Sequence, residues 1–452
     1  MLTKRTRRAL GAHGQQQQRD TVLGAWCVLA GPLIALAGGR WGTYIGLPGA
    51  PIFLTDLLFA GGAALMIVSR LRGSTRAASN PPTTLYVVMA MCFGAVLMIG
   101  IASASVWSLN VVRDAVPFIY LLALPLYVAA CEAIPRDRIL RAAMLATSFH
   151  AVWYFAAVFK MISPVQVPGV GVDVFDTRGD FDGIVCGIAI ALLLSSGRRH
   201  LLLKLAIAAM ALAAMVSQGS RAGLVGGLII LAFAASARTR WAHLPQRRAG
   251  VLVATAHFAV ASLIVLVSLA PALPEWAGGL QRVLVTDLSG QSSEQNTTTA
   301  RFQAWGLIVD YVNASASARW FGYGFGSDVV MDSGALAYLS GNPAVRAAHS
   351  FFFTWLGFTG WVGVVLAALG LTALTLACLR RMRREMSSSL AAGTIVSIIA
   401  AGFIGVLLES PFGYLTLVFF AALSLTRPWA PAREGSVQRD RYVPGVRRMH
   451  AH

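Results

Sequence analysis

The sequence predicts an all-α integral membrane protein, a twelve-span helical bundle with one large loop on the outer side of the membrane. Three observations predict it. Of 452 residues, 56% are hydrophobic and only 12% charged, with a mean hydropathy of +0.66, too apolar for a soluble domain of this length. Apolar windows of about twenty residues, the length that crosses a hydrocarbon core, recur along the chain. The arginines and lysines are divided unevenly between alternate connecting segments, as a polytopic topology requires.

The first 20 residues are basic and polar and read as a cytoplasmic tail. The apolar run at 21–39 is longer than a signal-peptide core and has no small-x-small cleavage site, so it counts as a span. Further spans are expected near 52–69, 84–103, 115–134, 140–159, 183–197, 201–217, 222–236, 251–269, 350–378, 389–408 and 412–426. Spans one to nine therefore occupy 21–269, a polar outer loop 270–349, spans ten to twelve 350–426, and a second basic cytoplasmic tail 427–452. Ser217 to Arg221 and Glu409 to Pro411 read as short turns between antiparallel helices.

With the N-terminus inside, nine cations fall on the outer side: Arg40, Arg113, Lys160, Arg178, Arg221, Arg282, Arg301, Arg319 and Arg346. That leaves 28 of the 37 lysines and arginines inside, which fixes the orientation and puts the long loop in the periplasm of a Gram-negative cell. The net charge of +18 follows from the same rule and calls for no nucleic-acid partner. The five cysteines stand singly in apolar segments, without CxxC pairs, so neither a disulfide framework nor a zinc site is implied.

The topology rule does not require the outer cations, and some of them open apolar helices. Arg221, in VSQGSRAGLVGG, begins one. Burying it unpaired would cost on the order of 3 kcal/mol even on a lenient insertion scale, so it faces a polar cavity or a partner. Arg178, in DVFDTRGDFDG, begins another, with Asp176, Asp180 and Asp182 near enough to neutralise it. In the outer loop Phe302, Trp305, Val309 and Val312 recur at helical spacing, which predicts an amphipathic helix capped by Thr297 to Thr299, with Arg301 in its first turn. A glycine turn follows at Gly322, Gly324 and Gly326, read either as a tight turn or as a point of close backbone approach. His349 stands directly before the next apolar run, either as a headgroup-level anchor or as a reactive base. Trp305, Trp320, Phe351 and Trp355 read as an interfacial aromatic belt. Glu409 reads as a structural cap before Pro411.

Two arginines and a histidine on one membrane face suit a particular reaction. The planar guanidinium fork matches phosphate oxygens, so paired arginines hold a pyrophosphate without a metal. A histidine kept neutral by neighbouring cations accepts a proton from an attacking hydroxyl. No DxD-like pair lies outside beyond the aspartates around Arg178, so metal-assisted departure is not expected.

Ser220-Arg221 opening a helix, Arg301 followed by Trp305, the turn Gly322-Gly324-Gly326, and His349-Ser350 leading into Gly357, Gly360 and Gly363 together resemble the O-antigen ligase family. The resemblance covers about 178–370, within a superfamily that includes O-antigen polymerases and O-linked oligosaccharyltransferases. It implies a GT-C-like, metal-independent inverting glycosyltransferase of the bacterial inner membrane, with no cofactor, working at the periplasmic face. The donor would be O-antigen on undecaprenyl pyrophosphate and the acceptor lipid A-core. By position, Arg221 and Arg301, with Arg178, would bind the pyrophosphate and His349 would activate the acceptor hydroxyl; Ser220, Gly322, Gly324 and Ser350 would support them. Many members carry Asn where this chain has Ser350, which leaves the role of Ser350 open.

The polymerase needs the same pyrophosphate grip and stays as the alternative. The oligosaccharyltransferase branch usually carries a large soluble domain after its last span, whereas a basic tail of only about 26 residues is expected after Leu425 here. A secondary transporter would show two similar halves and mid-membrane charges, and the predicted spans carry almost none.

Overall fold

The computed structural model describes residues 4–47, 52–72, 83–197, 199–238, 293–339, 345–382, 386–403 and 405–426. The span expected at 251–269, Arg282 and the tail at 427–452 lie outside the described residues.

Among the described residues the structure is helical, with isolated bridges in place of strands. Its helices are α1 (Lys4–Thr43), α2 (Leu54–Arg72), α3 (Thr83–Ala102), α4 (Leu109–Leu122), α5 (Leu124–Ala133), α6 (Arg136–Val158), α7 (Gly179–Ser195), α8 (Leu201–Ser217), α9 (Arg221–Arg238), α10 (Ser293–Asn313), α11 (Ala316–Phe321), α12 (Val329–Asp332), α13 (Leu336–Leu339), α14 (Phe351–Arg381), α15 (Met386–Gly402) and α16 (Pro411–Leu425). The apolar windows within the described residues fall on helices, except that 115–134 covers the bent pair α4 and α5 and the helix on 389–408 ends at Gly402. Four helices are long and apolar enough to cross a membrane unaided, and α4 with α5, bent by 51°, make up to a fifth.

Burial sorts the helices into a core and a rim. Every residue of α16 is buried, and α7 is buried from Phe181 to Leu193. A helix that is apolar all round can be placed only where protein covers every face. Helices α1, α5 and α15 pack around α16. At the rim, α2, α3, α6 and α8 expose large apolar side chains such as Leu71, Met91, Leu145 and Leu202, which is the surface a lipid environment accepts.

Helix α14 is broken at Gly360, whose φ of 62° and ψ of −170° are not helical. The break deprives nearby carbonyls of their i+4 donors. The glycine turn supplies replacements: Tyr323 N–H donates to Gly357 O and Gly324 N–H to Phe358 O, both at 2.9 Å. Phe325 N–H donates to Gly100 O at 2.8 Å, fastening the turn to α3. Gly322 and Gly324 have positive φ and lie so close to the α14 and α3 backbones that an added Cβ would overlap main-chain atoms at 2.3 Å.

Three local expectations need correction. Helix α10 begins at Ser293, so Thr297 to Thr299 lie inside it rather than capping it, and Arg301 is beyond its first turn. Its packed stripe is Ala304, Trp305, Ile308 and Val312, while Phe302 is 64% exposed. The helix is seated on the bundle by Trp305, which stacks on Phe353 at 4.8 Å. Trp305, Phe351 and Trp355 are buried in the core and only Trp320 is exposed; a headgroup belt does not describe them. The joint before α16 is not a short turn either, since Gly402 and Pro411 are separated by a segment containing a 3-10 turn at Leu407–Glu409.

Candidate active site

Helices α7 and α9 touch backbone to backbone. A Cβ on Gly183 would come within 2.6 Å of the Gly223 backbone, and one on Gly187 within 2.6 Å of Gly227 Cα. Only glycine permits that approach, and it brings the two helix mouths side by side: a Cβ on Gly179 would lie 2.8 Å from Ser220 Cβ. Arg178 is the N-cap residue of α7 and Arg221 the first residue of α9, so two cations flank adjacent helix starts. Arg221 is exposed there.

Arg178 is held from its own segment. Its backbone N–H donates to Asp182 Oδ2 at 2.5 Å, and its Nε lies 3.3 Å from Asp180 Oδ1. Asp176 is taken by Arg40 at 2.6 Å. Of the three aspartates, Asp180 therefore pairs with the Arg178 guanidinium. Asp182 is fully buried, and His150 Nε2 approaches its other oxygen at 3.3 Å. Both groups lie against the break in α1 at Gly39, whose Cβ position is 3.0 Å from His150 Cε1.

His349 enters from the opposite side on a tightly fixed segment. Ala348 is secured at both ends: its carbonyl accepts from Trp305 Nε1 at 2.8 Å, and its N–H donates to Thr354 Oγ1 at 2.8 Å. Two residues earlier, Arg346 donates to Asp114 Oδ2 at 3.2 Å and to Ser327 O at 2.8 Å. Between these anchors and α14, His349 adopts φ 58°, a left-handed conformation that costs a non-glycine residue about 1–3 kcal/mol and persists where the surroundings impose it. Ser350 is the N-cap residue of α14 without a side-chain cap bond, and its buried hydroxyl has no partner among the described residues.

The charges felt by His349 identify its neighbours. Burial first, then Arg178 and Arg301, press its pKa down to about 4. Burial also lowers the pKa of Arg301, which lies in the fields of Asp180 and Arg178. Arg178, Arg301 and His349 thus lie within one another's electrostatic reach although they come from three separate parts of the chain. Trp305, one helical turn after Arg301 on α10, bonds the residue preceding His349, which accounts for the convergence.

Glu409 also belongs to this neighbourhood. It does not cap α16; Ser410 and Pro411 occupy that helix start. Both its carboxylate oxygens are shielded from solvent and unbonded among the described residues. Burial pushes the carboxyl up to about 8, against the pull of the Thr354 hydroxyl and Arg178. Thr354 is the residue that holds Ala348, so Glu409 stands behind the histidine segment. The sequence signal, an acidic residue within LLESPFG, was visible, but its burial was not. Gly322 and Gly324 serve the break in α14, as described above. Among the described residues no group of three His, Cys, Asp or Glu side chains could hold a metal ion.

Comparison with curated proteins finds no match. A family model described as O-Antigen ligase matches residues 205–368, from within α8 to just past the break in α14. Arg178 and Glu409 lie outside the matched residues, while Arg221, Arg301 and His349 lie within them. Over this segment the chain is similar to the O-antigen ligase family.

Proposed function

We propose that the protein is an O-antigen ligase: a GT-C-like, metal-independent inverting glycosyltransferase of the bacterial inner membrane, with twelve spans, both termini cytoplasmic and its site at the periplasmic face. It moves O-antigen from undecaprenyl pyrophosphate to lipid A-core. The observation that carries this reading is that Trp305, one turn after Arg301, bonds the carbonyl preceding His349, a histidine that feels the charges of Arg178 and Arg301. The guanidiniums bind the pyrophosphate oxygens and neutralise the charge that grows as the pyrophosphate departs, and Arg221 guards the neighbouring helix mouth. His349, neutral above about pH 4, accepts the proton of the acceptor hydroxyl. The hydroxyl oxygen bonds to the anomeric carbon from the face opposite the leaving group, the carbon–oxygen bond to the pyrophosphate breaks with its electron pair, and the linkage inverts. Undecaprenyl pyrophosphate leaves.

The same cations act on the base in two senses. Alone they hold the histidine neutral but weakly basic. A bound pyrophosphate cancels much of their field and raises the basicity of the imidazole when the donor is in place.

Complementation of a bacterium lacking its own ligase tests the reading. Wild type is expected to restore capped lipopolysaccharide. His349→Ala, Arg178→Ala, Arg221→Ala and Arg301→Ala, at matched expression, are expected to accumulate lipid-linked glycan, with losses of about 10²-fold or more for the base. Bare cores with lengthened lipid-linked chains would identify the alternative, an O-antigen polymerase.

A further inference from the structure

A groove of about 900 Å³ opens at the end of the bundle that carries His349, between the last turn of α3, α11 and the glycine turn. Its apolar lining includes Met98, Ile99 and Ala102, together with Tyr311 and Tyr323, which stack at 4.4 Å with rings 21° apart. Polar groups ring it: Ser103, Ser105, Ser317, Ser327 and Asp332.

This combination selects among ligands. Among the described residues no lysine or arginine lines the groove, and Asp332 would repel a phosphate, so the pyrophosphate end of a donor does not belong here. An acyl chain would leave the hydroxyls and the carboxylate unused. A saccharide matches both halves of the lining, since its C–H faces rest on flat aromatic and apolar surface and its hydroxyls bond serine oxygens and a carboxylate. The volume is within the range of small-ligand sites.

The groove also shares a wall with the candidate active site. Gly326 and Ser327 line it, and these residues bond the anchors of the histidine segment: Gly326 N–H donates to Asp114 Oδ2 at 2.9 Å and Ser327 O accepts from Arg346 at 2.8 Å. Along α10, Tyr311 stands six residues beyond Trp305, about 9 Å of helix axis, and Trp305 bonds the carbonyl before His349. We propose that the groove is a glycan subsite that holds sugar units of a substrate saccharide one wall away from the reacting bond. The inference rests on the glycosyl-transfer reading, and the sugars could come from the donor chain or from the acceptor core.

The test is direct binding to the full chain in nanodiscs, by saturation-transfer NMR and titration. One probe is O-antigen oligosaccharide freed of its lipid; the other is core oligosaccharide freed of lipid A. The expected result is that one probe binds and thereby names the source, and that Ser317→Trp, which fills the groove from its exposed rim, weakens that binding at least tenfold without moving the thermal unfolding midpoint. Should that variant misfold, Asp332→Asn on the same rim is expected to weaken binding severalfold. The subsite is overturned if neither probe binds wild type, or if both variants bind as wild type does. Because binding is read without turnover, a wild type that binds sugar at this groove but transfers none overturns the proposed function alone, and unimpaired transfer by Ser317→Trp overturns the subsite alone.

Discussion

The indole Nε1 of Trp305 donates a 2.8 Å hydrogen bond to the carbonyl of Ala348, so the helix that carries Arg301 is tied to the residue before His349. The bond spans 43 positions of chain and ties the helix of Arg301 to the segment of His349, the proposed phosphate-binding group and the proposed base. Trp305→Phe keeps the stacking on Phe353 and deletes only this bond. A lost neutral hydrogen bond costs about 1 kcal/mol, and a loosened base costs more through misalignment. Transfer is expected to fall on the order of tenfold, while the unfolding midpoint drops by a few degrees. A wild-type rate would show that the tie is only structural.

The histidine sets an acid limit on activity. Its pKa of about 4 means that kcat/KM, which reports the free enzyme, loses activity to His349 protonation only near and below pH 4. Arg178→Gln or Arg301→Gln removes a cation that disfavours the imidazolium, so the pKa rises toward its ordinary value of about 6.5. The residual activity of either variant is expected to decline from a higher pH, by about one unit. A pH–rate series on all three proteins reads this directly; limbs that coincide would mean that the arginines do not act on the base.

Glu409 gives a stability signature with its own sign. Its carboxyl titrates near 8 when folded against about 4.3 in an unfolded chain, so the native state holds the extra proton between those values. Stability from this group is fully present below about pH 4.3 and declines as pH rises to 8. Unfolding midpoints from pH 5 to 8.5 are expected to fall less in Glu409→Gln, which mimics the protonated acid, than in wild type. Parallel curves would place the carboxyl in a wetter environment than its shielded oxygens imply.

The contact between α7 and α9 leaves no room for a side chain. Gly183→Leu drives atoms into the Gly223 backbone, which lies within 2.7 Å of the Cβ position, and separates the mouths that carry Arg178 and Arg221. Both folded yield and donor binding are expected to fall sharply. The same change at Gly306, where nothing lies within 4 Å of an added Cβ, should leave folded yield near wild type, and comparing the two by size-exclusion profile isolates the effect of contact.

The helices were legible because apolar windows report where a backbone must satisfy itself internally. Windows do not report what surrounds a helix, so α16 at the centre and α3 at the rim read alike. The candidate site residues stood out where burial made them expensive: Arg178, Arg221 and Arg301 are conspicuous in an apolar chain, and His349 marks a helix mouth. Their grouping was not legible. Three aspartates stand near enough in sequence to neutralise Arg178, but two of them are engaged elsewhere, by Arg40 and by His150. The Asp114–Arg346 tie joins residues 232 positions apart and leaves no local pattern. Glu409 looked like a turn residue because only packing reveals that a carboxylate beside Pro411 has lost its water.

The break at Gly360 constrains how the protein can be assembled. Carbonyls bared in the middle of an apolar helix cost several kcal/mol each in hydrocarbon, and here the donors that cover Gly357 and Phe358 belong to Tyr323 and Gly324. Those donors precede α14 in the chain and emerge first from a ribosome. The turn can therefore be waiting against α3 when α14 arrives, so that the helix is completed by a segment synthesised before it, and a chain truncated to the residues after Gly326 would deliver to the bilayer a helix it cannot finish.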